Sequence, residues 1–221
     1  METIRTTCAW DAKSLTSRVA DAKKKRRFEA GSPNPLEVAC YRRLFKPFLQ
    51  GQKKPRVIVL GMTPELRSMA LSEGVQVVSI DNNPFAIDLY RDWIPKVFQD
   101  RETIIQANWQ DLRECMDGRV NAILGDGVFG NVLTTQSHAE LLAVLRGTLK
   151  PGGGMVFRKI LIPEGFPRED YEASVLVKKF RVGALSEAEF GFGMRIWGCF
   201  DHAYSWETRQ LDNSIVFECY R

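Results

Sequence analysis

One glycine and one aspartate, twenty residues apart, are the residues of this sequence whose types and spacing could do chemistry together. Gly61 ends the apolar run Val57–Leu60, and Asp81 ends a second apolar run, Val75–Ile80. In a doubly wound α/β sheet, a nucleotide lies across the carboxyl ends of the first two strands, where an acidic residue accepts hydrogen bonds from the ribose hydroxyls. The pair therefore predicts a site for a ligand that contains ribose.

The loop after the first apolar run narrows the class of ligand. Dinucleotide sites use the pattern G-x-G-x-x-G, which lets the backbone approach a pyrophosphate. The segment Gly61–Glu65 keeps a single glycine and ends on a carboxylate that would repel phosphate. A ligand with a ribose and no phosphate fits this loop better, and S-adenosyl-L-methionine is the common ligand of that kind.

Each residue of this loop also has a structural interpretation without a ligand. Gly61 could be an ordinary turn residue, although only glycine combines a positive φ with the absence of a side chain. Thr63 could cap the helix that Pro64 begins, or it could contact the ligand. Glu65 could interact with the helix dipole, or it could bind the ammonium group of a methionine.

Short apolar runs that alternate with helical patterns are expected to position these residues. The predicted strands are Val57–Leu60, Val75–Ile80, Thr103–Gln106, Asn121–Leu124 and Gly154–Arg158. The predicted helices between them are Pro64–Ser72, Pro84–Trp93 and Ser137–Leu149, and His138 is expected on the surface at the start of the last. Such alternation predicts an α/β fold with a doubly wound, mostly parallel sheet, covered by helices on both faces.

The chain is predicted to divide into a helical appendage, residues 1–54, and a ligand-binding domain, residues 55–221. Outside the alternating part, helices are predicted over Asp11–Phe28, Leu36–Leu49 and Tyr171–Phe180, and a final strand over Ser214–Tyr220. The two amino-terminal helices are amphipathic, so they are expected to pack on the domain.

Five sequence motifs in order resemble those of the class I S-adenosylmethionine-dependent methyltransferases. They are Val57–Glu65, Val78–Asn82, Gln106–Leu112, Asn121–Gly127 and Leu145–Phe157. The last contains Leu-Lys-Pro-Gly-Gly-Gly, a frequent signature of that superfamily, and the Gly-x-Thr-Pro-Glu form of the first is similar to a poorly characterised bacterial branch. The resemblance implies a Rossmann-like fold and S-adenosyl-L-methionine as cofactor.

The resemblance also implies roles for individual residues. The implied cofactor-binding residues are Gly61, Thr63, Glu65, Asp81, Asn82, Asn108, Trp109 and Asp126. Asn108 would contact adenine and Trp109 would flank its ring, with core packing as the alternative for Trp109. Asn82 could instead make the turn before the next helix.

Two residues are candidates for catalysis. Asp126, between two glycines at the end of the fourth strand, could hold the methionine ammonium, orient the acceptor or accept its proton, or it could be a turn carboxylate. His202 lies in the carboxyl-terminal part, where such enzymes often build an acceptor pocket. It could act as a general base, or it could be an ordinary loop residue.

Composition and charge limit the other classes of protein. No apolar run approaches the roughly 20 residues of a membrane helix, and the first ten residues lack the apolar core of a signal peptide. The five cysteines form no C-x-x-C pair and the chain has two histidines, which favours reduced thiols, a cytoplasmic protein and no metal site. No feature of the sequence indicates an oligomeric state.

Positive charge is concentrated at the amino terminus. Residues 1–54 hold 13 Lys and Arg against 5 Asp and Glu, chiefly through the run Lys23–Arg27. Nucleic acid is one interpretation of such a run, and a solvated helix face or a mobile arm is the favoured one.

The sequence as a whole predicts a methyltransferase with a small-molecule acceptor. The acceptor is expected to be enclosed by the amino-terminal helices and the aromatic-rich segment Ile160–Tyr204, since a mostly aromatic pocket suits a small molecule better than a polymer. The alternatives are a methyltransferase of RNA or another nucleic acid, and a catalytically inactive nucleotide-binding regulatory module.

Overall fold

A computed structural model describes residues 32–132, 135–159, 168–194, 204–205 and 210–211. The helix predicted over 11–28, the basic run Lys23–Arg27, His202 and the strand predicted over 214–220 lie outside the described residues. The division into an appendage of residues 1–54 and a domain of residues 55–221 stays a prediction. Contacts divide the chain into two compact units, the first of which spans residues 32–160.

The first unit is built on a five-stranded sheet. Its strands are β1 (Arg56–Leu60), β2 (Gln76–Asp81), β3 (Glu102–Gln106), β4 (Val120–Asp126) and β5 (Leu149–Arg158). They lie in the order β3-β2-β1-β4-β5, and every pair of neighbours is parallel. The predicted α/β fold with a parallel sheet is confirmed.

Helix α1 (Pro35–Phe45) precedes β1, and α2 (Pro64–Ser72), α3 (Pro84–Tyr90), α4 (Leu112–Cys115) and α5 (Thr135–Thr148) lie between the strands. Of the helices between strands, α2, α3 and α5 were predicted, whereas the short α4 was not. The helix predicted over 36–49 is formed by α1 followed by a 3₁₀ turn, Lys46–Leu49. The helix predicted over 84–93 is formed by α3 followed by a 3₁₀ turn, Arg91–Trp93. Residues Pro35, Pro64 and Pro84 each occupy a first helical position, where a missing N–H costs no hydrogen bond.

Asparagines fix two of the helix starts. Asn34 and Glu37 form a capping box, in which Asn34 Oδ1 accepts from the Glu37 N–H at 3.0 Å and Glu37 Oε2 accepts from the Asn34 N–H at 2.7 Å. Asn83 Oδ1 accepts from the N–H groups of Phe85 and Ala86 at 3.0 and 3.3 Å. Such caps satisfy helix donors that would otherwise lack partners.

The sheet separates two apolar clusters, one on each face. Val57 and Val59 of β1 point to the cluster that contains residues of α1 and α2, whereas Ile58 and Leu60 point to the cluster that contains residues of α5. All four side chains are at most 1% exposed. Burial on both faces explains why β1 is a continuous apolar run.

Strand β5 begins earlier than predicted. The Pro-Gly-Gly-Gly sequence after Lys150 resembles a loop, yet the chain stays paired with β4 through a register shift between Val120 and Ala122. Gly154 packs so closely against Phe48 that a Cβ on Gly154 would come within 2.2 Å of the Phe48 ring. The glycines therefore serve both the irregular pairing and the close packing of this edge.

A buried ion pair joins α2 to the sheet. The guanidinium of Arg67 donates to both carboxylate oxygens of Glu102 in β3, at 2.6 and 2.8 Å, and Ser79 Oγ in β2 donates to the same carboxylate at 2.6 Å. The side chains of Arg67 and Glu102 are 0% and 4% exposed. Arg67 also donates to the carbonyl of Tyr90 at 2.7 Å, so its guanidinium holds the carboxyl end of α3 as well.

The second unit includes the described residues from 168 onward. A 3₁₀ turn, Arg168–Tyr171, leads into α6 (Ala173–Arg181), and α7 (Glu187–Gly193) follows, with Phe180 and Phe190 stacked at 4.4 Å. Strand β6 (Tyr204–Ser205) pairs antiparallel with β7 (Gln210–Leu211). Within the described residues, no helix combines the length and the apolar composition needed to cross a membrane.

Candidate functional site

The strand order places a crevice at the carboxyl ends of β1 and β4. From β1 the chain passes through α2 to β2 on one side, whereas β4 lies on the other side of β1. Ligands of open α/β sheets bind outside the carboxyl ends of the strands where the order reverses in this way. The predicted residues at the ends of β1, β2, β3 and β4 therefore border one edge.

Gly61 lies next to two other residues of the predicted ribose site, Asp81 and Trp109. Its φ is +90°, and its N–H donates to the Ile80 carbonyl at 2.8 Å. A Cβ placed on Gly61 would lie 3.8 Å from Asp81 Oδ2 and 3.9 Å from Trp109 Cζ2. Glycine is required by the positive φ, and the three predicted residues lie around the same small space.

The carboxylate of Asp81 is held by backbone donors of two loops. Asp81 Oδ1 accepts from the Asn83 N–H at 2.9 Å. Burial raises the pKa of Asp81, and hydrogen bonds from the backbone N–H groups of Asn83, Met62 and Asn82 lower it, with burial the larger effect. The half-buried carboxylate is thus oriented by the chain and retains acceptor capacity for a ligand hydroxyl.

Trp109 packs in the core, as one of the two sequence interpretations has it, and its ring also lies beside Gly61. Its Nε1–H donates to the Ile80 carbonyl at 2.8 Å, the oxygen that also accepts from Gly61. The indole packs on the apolar cluster beside α5 and remains half-buried next to Gly61. Core packing therefore fixes a ring at the crevice.

The asparagines at the ends of β2 and β3 bond to each other. Asn82 Nδ2 donates to Asn108 Oδ1 at 2.9 Å, and both residues are exposed. The turn before Pro84 is made by Asn83, which caps α3. The pair ties two loops of the crevice together, and Asn108 retains its amide donor for a ligand.

Thr63 and Glu65 lie at the start of α2. Thr63 occupies the cap position and its carbonyl accepts from the Arg67 N–H at 3.2 Å, but its hydroxyl makes no capping hydrogen bond. The hydroxyl therefore does not serve the capping role that the sequence left open. Glu65 is half-buried in the first turn, where the helix dipole favours a negative charge.

At the carboxyl ends of β4 and β5, Asp126 forms a bidentate ion pair. Arg158 Nε and Nη2 donate to Asp126 Oδ1 and Oδ2 at 2.6 and 2.9 Å. Arg158 Nη1 donates to Glu37 Oε2 of α1 at 2.7 Å. Two carboxylates therefore share one guanidinium, and Asp126 is a paired carboxylate rather than a turn residue exposed to solvent.

The charges of this trio influence one another. Burial raises the pKa of Asp126 more than the hydrogen bonds from Arg158 lower it. Burial also raises the pKa of Glu37, but hydrogen bonds from Arg158 and from the Asn34 N–H outweigh it, so the pKa is lowered. The shared guanidinium thus affects the two carboxylates differently: the pKa of Glu37 is lowered from its ordinary value, whereas the pKa of Asp126 is raised because burial dominates.

Tyr41 has a role that the sequence did not predict. Its hydroxyl donates to the Gly125 carbonyl at 2.8 Å and accepts from the Arg158 N–H at 2.8 Å, and the residue is 4% exposed. Burial raises the pKa of the phenol, so the donor stays protonated. The available signal was a tyrosine within the apolar stripe of α1, where an aliphatic residue would pack without needing a hydrogen-bond partner.

The loop after β4 is held by His138 of α5. His138 Nε2 lies 3.0 Å from the Phe129 carbonyl and 2.8 Å from the Val132 carbonyl, which assigns the proton to this nitrogen. The Phe129 ring meets His138 and Phe157 edge to face, with centroids 5.3 and 5.5 Å apart. His138 is half-buried, in contrast to the surface position expected from the sequence.

No protein-family model and no curated protein matches the chain. Solved structures do match it. The CcbJ methyltransferase from Streptomyces caelestis is 18% identical, with a TM-score of 0.51, over 67% of this chain and 58% of that one. DesVI from Streptomyces venezuelae is 18% identical, with a TM-score of 0.51, over 66% of this chain and 59% of that one.

A third match, the glycopeptide N-methyltransferase MtfA complexed with S-adenosylmethionine, is 21% identical over 59% of this chain and 54% of that one, with a TM-score of 0.45. The matched region thus spans between half and two thirds of each of these structures. The fold is that of the class I methyltransferases, as the sequence motifs predicted.

Proposed function

We propose that this chain is an S-adenosylmethionine-dependent methyltransferase that acts on a small-molecule acceptor. The observation that carries the proposal is the convergence of Gly61, Asp81 and Trp109 on one space at the carboxyl edge of the sheet. The shared methyltransferase fold supports it. The catalytically inactive module suggested as an alternative by the sequence would keep this space and lack turnover.

The residues around this space suit the proposed cofactor. Asp81 would accept hydrogen bonds from the ribose hydroxyls, and the Trp109 ring would flank adenine. Gly61 has no side chain to fill the space beside Asp81 and Trp109, where backbone and cofactor would approach each other. Asn82, Asn108, Thr63 and Glu65 border the same loops and remain proposed cofactor contacts.

When bound, the cofactor supplies a sulfonium methyl group that is open to attack by a nucleophile. The protein's part is to hold both reactants and exclude water. Asp126 is the carboxylate at the end of β4 with a raised pKa, so it is the proposed proton acceptor for an acceptor that must lose a proton. His202 remains a second proposed base.

A small acceptor is supported by apolar side chains near Asp126. Phe129, which follows β4, and Phe157, which lies in β5, form an edge-to-face pair.

Incubation of the full chain with isotopically labelled S-adenosylmethionine and a metabolite extract is expected to label low-molecular-weight products. Efficient labelling of bulk RNA instead, weakening steeply with salt, would contradict the small-molecule proposal.

Cofactor binding is expected to weaken in mild acid. As the pH falls through the raised pKa of Asp81, the carboxylate is protonated and loses part of its capacity to accept ribose hydrogen bonds. A folded-state pKa above the unfolded value also means that Asp81 adds stability to the fold as the pH falls through this window, so the loss of binding is distinct from unfolding.

Titration calorimetry at a series of pH values from about 7 down to about 4, close to the ordinary aspartate pKa, would measure this dependence. The variant Asp81→Asn is the control, and its weaker affinity is expected to vary less over the same range. Equal pH dependence in the two proteins would show that Asp81 is not the titrating group.

A further inference from the structure

The hydroxyl of Tyr41 stands between two strands of the sheet. Gly125 pairs with Phe157, and Asp126 pairs with Arg158, in the ladder of β4 and β5. Adjacent parallel strands ordinarily exchange hydrogen bonds directly between carbonyl and N–H groups. Here the Gly125 carbonyl and the Arg158 N–H both bond to the Tyr41 hydroxyl, at 2.8 Å each.

Glu37 reinforces this contact from the same helix face. It lies four residues before Tyr41, which places both side chains on one side of α1. Tyr41 holds the backbone of Arg158, and Glu37 accepts from its Nη1 at 2.7 Å. Nε and Nη2 of the same guanidinium donate to both carboxylate oxygens of Asp126. The position of Asp126 thus depends on two side chains of α1.

The sheet order gives this arrangement its place relative to the ribose site. Strand β4 is two strands from β2, which carries Asp81, and neighbouring strands are about 4.8 Å apart. The Asp126 strand is therefore about 10 Å from the Asp81 strand. A ligand whose ribose is bound at Asp81, and which crosses β1, directs its other end toward β4.

We propose that Tyr41 and Glu37 are positioning residues that hold the Arg158–Asp126 pair against the charged methionine end of S-adenosylmethionine. The inference rests on the proposed function. The three ionised side chains, Glu37, Arg158 and Asp126, sum to one negative charge, which complements the positive charge of a sulfonium.

Binding of two ligands to the full chain tests this inference without an acceptor. S-adenosylmethionine carries the charged end, and 5′-methylthioadenosine retains the nucleoside and lacks that end. By titration calorimetry, Tyr41→Phe is expected to weaken S-adenosylmethionine binding about tenfold and to change 5′-methylthioadenosine binding by less than about twofold. Tyr90→Phe, which removes a hydroxyl from α3, is the matched control and is expected to change both affinities by less than about twofold.

A second variant keeps the inference testable if Tyr41→Phe fails to fold. Glu37→Gln removes the charge and keeps an acceptor for Arg158, and it is expected to weaken S-adenosylmethionine binding about threefold with 5′-methylthioadenosine unaffected. Unchanged S-adenosylmethionine affinity, or an equal loss for both ligands, would overturn the positioning role. Failure of the wild-type chain to bind S-adenosylmethionine would instead remove the proposed function, and with it this inference.

Discussion

Replacing Asp81 by alanine is expected to weaken S-adenosylmethionine binding by about ten- to a hundredfold. The substitution removes an acceptor that backbone N–H groups already orient, so the ribose hydroxyls would lose charge-assisted hydrogen bonds. Such bonds contribute roughly 1.5 to 3 kcal/mol, which corresponds to that range of affinity. Titration calorimetry on the folded variant would measure the loss.

Asp88→Ala is the matched control for this substitution. Asp88 is exposed in α3, seven residues beyond Asp81. The substitution therefore removes one carboxylate, as Asp81→Ala does, but at a position outside the crevice. Its cofactor affinity is expected to stay within about twofold of wild type. If Asp81→Ala bound S-adenosylmethionine as tightly as Asp88→Ala, Asp81 would not belong to the cofactor site.

Replacing Arg67 by methionine is expected to lower the free energy of unfolding by about 3 to 5 kcal/mol. Methionine fills much of the apolar volume of the arginine, but it leaves the Glu102 carboxylate buried without its cation. The carbonyl of Tyr90 would also lose a donor at 2.7 Å. Urea unfolding of the full chain would measure the change, provided that the transition remains cooperative.

Two further variants separate this charge effect from general damage. Arg67→Met combined with Glu102→Gln removes both charges and keeps an acceptor for Ser79, so it is expected to recover more than half of the loss. Arg42→Met breaks an ion pair with Glu73 in which the arginine is 44% exposed, and it is expected to cost less than about 1 kcal/mol. Equal losses for Arg67→Met and Arg42→Met would show that burial does not govern the contribution of the pair.

The part of the site that lies close to strand ends could be predicted from the sequence. Gly61 and Asp81 each follow an apolar run, and a parallel sheet brings the ends of such runs to one edge. Trp109 follows β3 in the same way, although its hydrogen bond to Ile80 depends on a turn that spacing does not reveal. The strands themselves were predictable because burial on both faces imposes continuous apolar runs.

The remaining part depends on contacts between distant segments. Tyr41 reaches Gly125 and Arg158 across 84 and 117 positions of sequence, and no local pattern encodes such a pairing. Glu37 was equally unpredictable in this role, since its spacing also fits the capping box that it forms with Asn34. Strand β5 was predicted too short because proline and glycines normally end a strand, whereas here they accommodate an irregular register.

We propose that the crevice beside Gly61, Asp81 and Trp109 binds a nucleoside cofactor that has no phosphate. Calorimetric titration of the wild-type chain with S-adenosylmethionine and, separately, with NADH tests this proposal. We expect micromolar or tighter binding of S-adenosylmethionine, and binding of NADH weaker by at least about a hundredfold, since the loop lacks the glycines that a pyrophosphate needs. Tighter binding of NADH than of S-adenosylmethionine would contradict the assignment of this site.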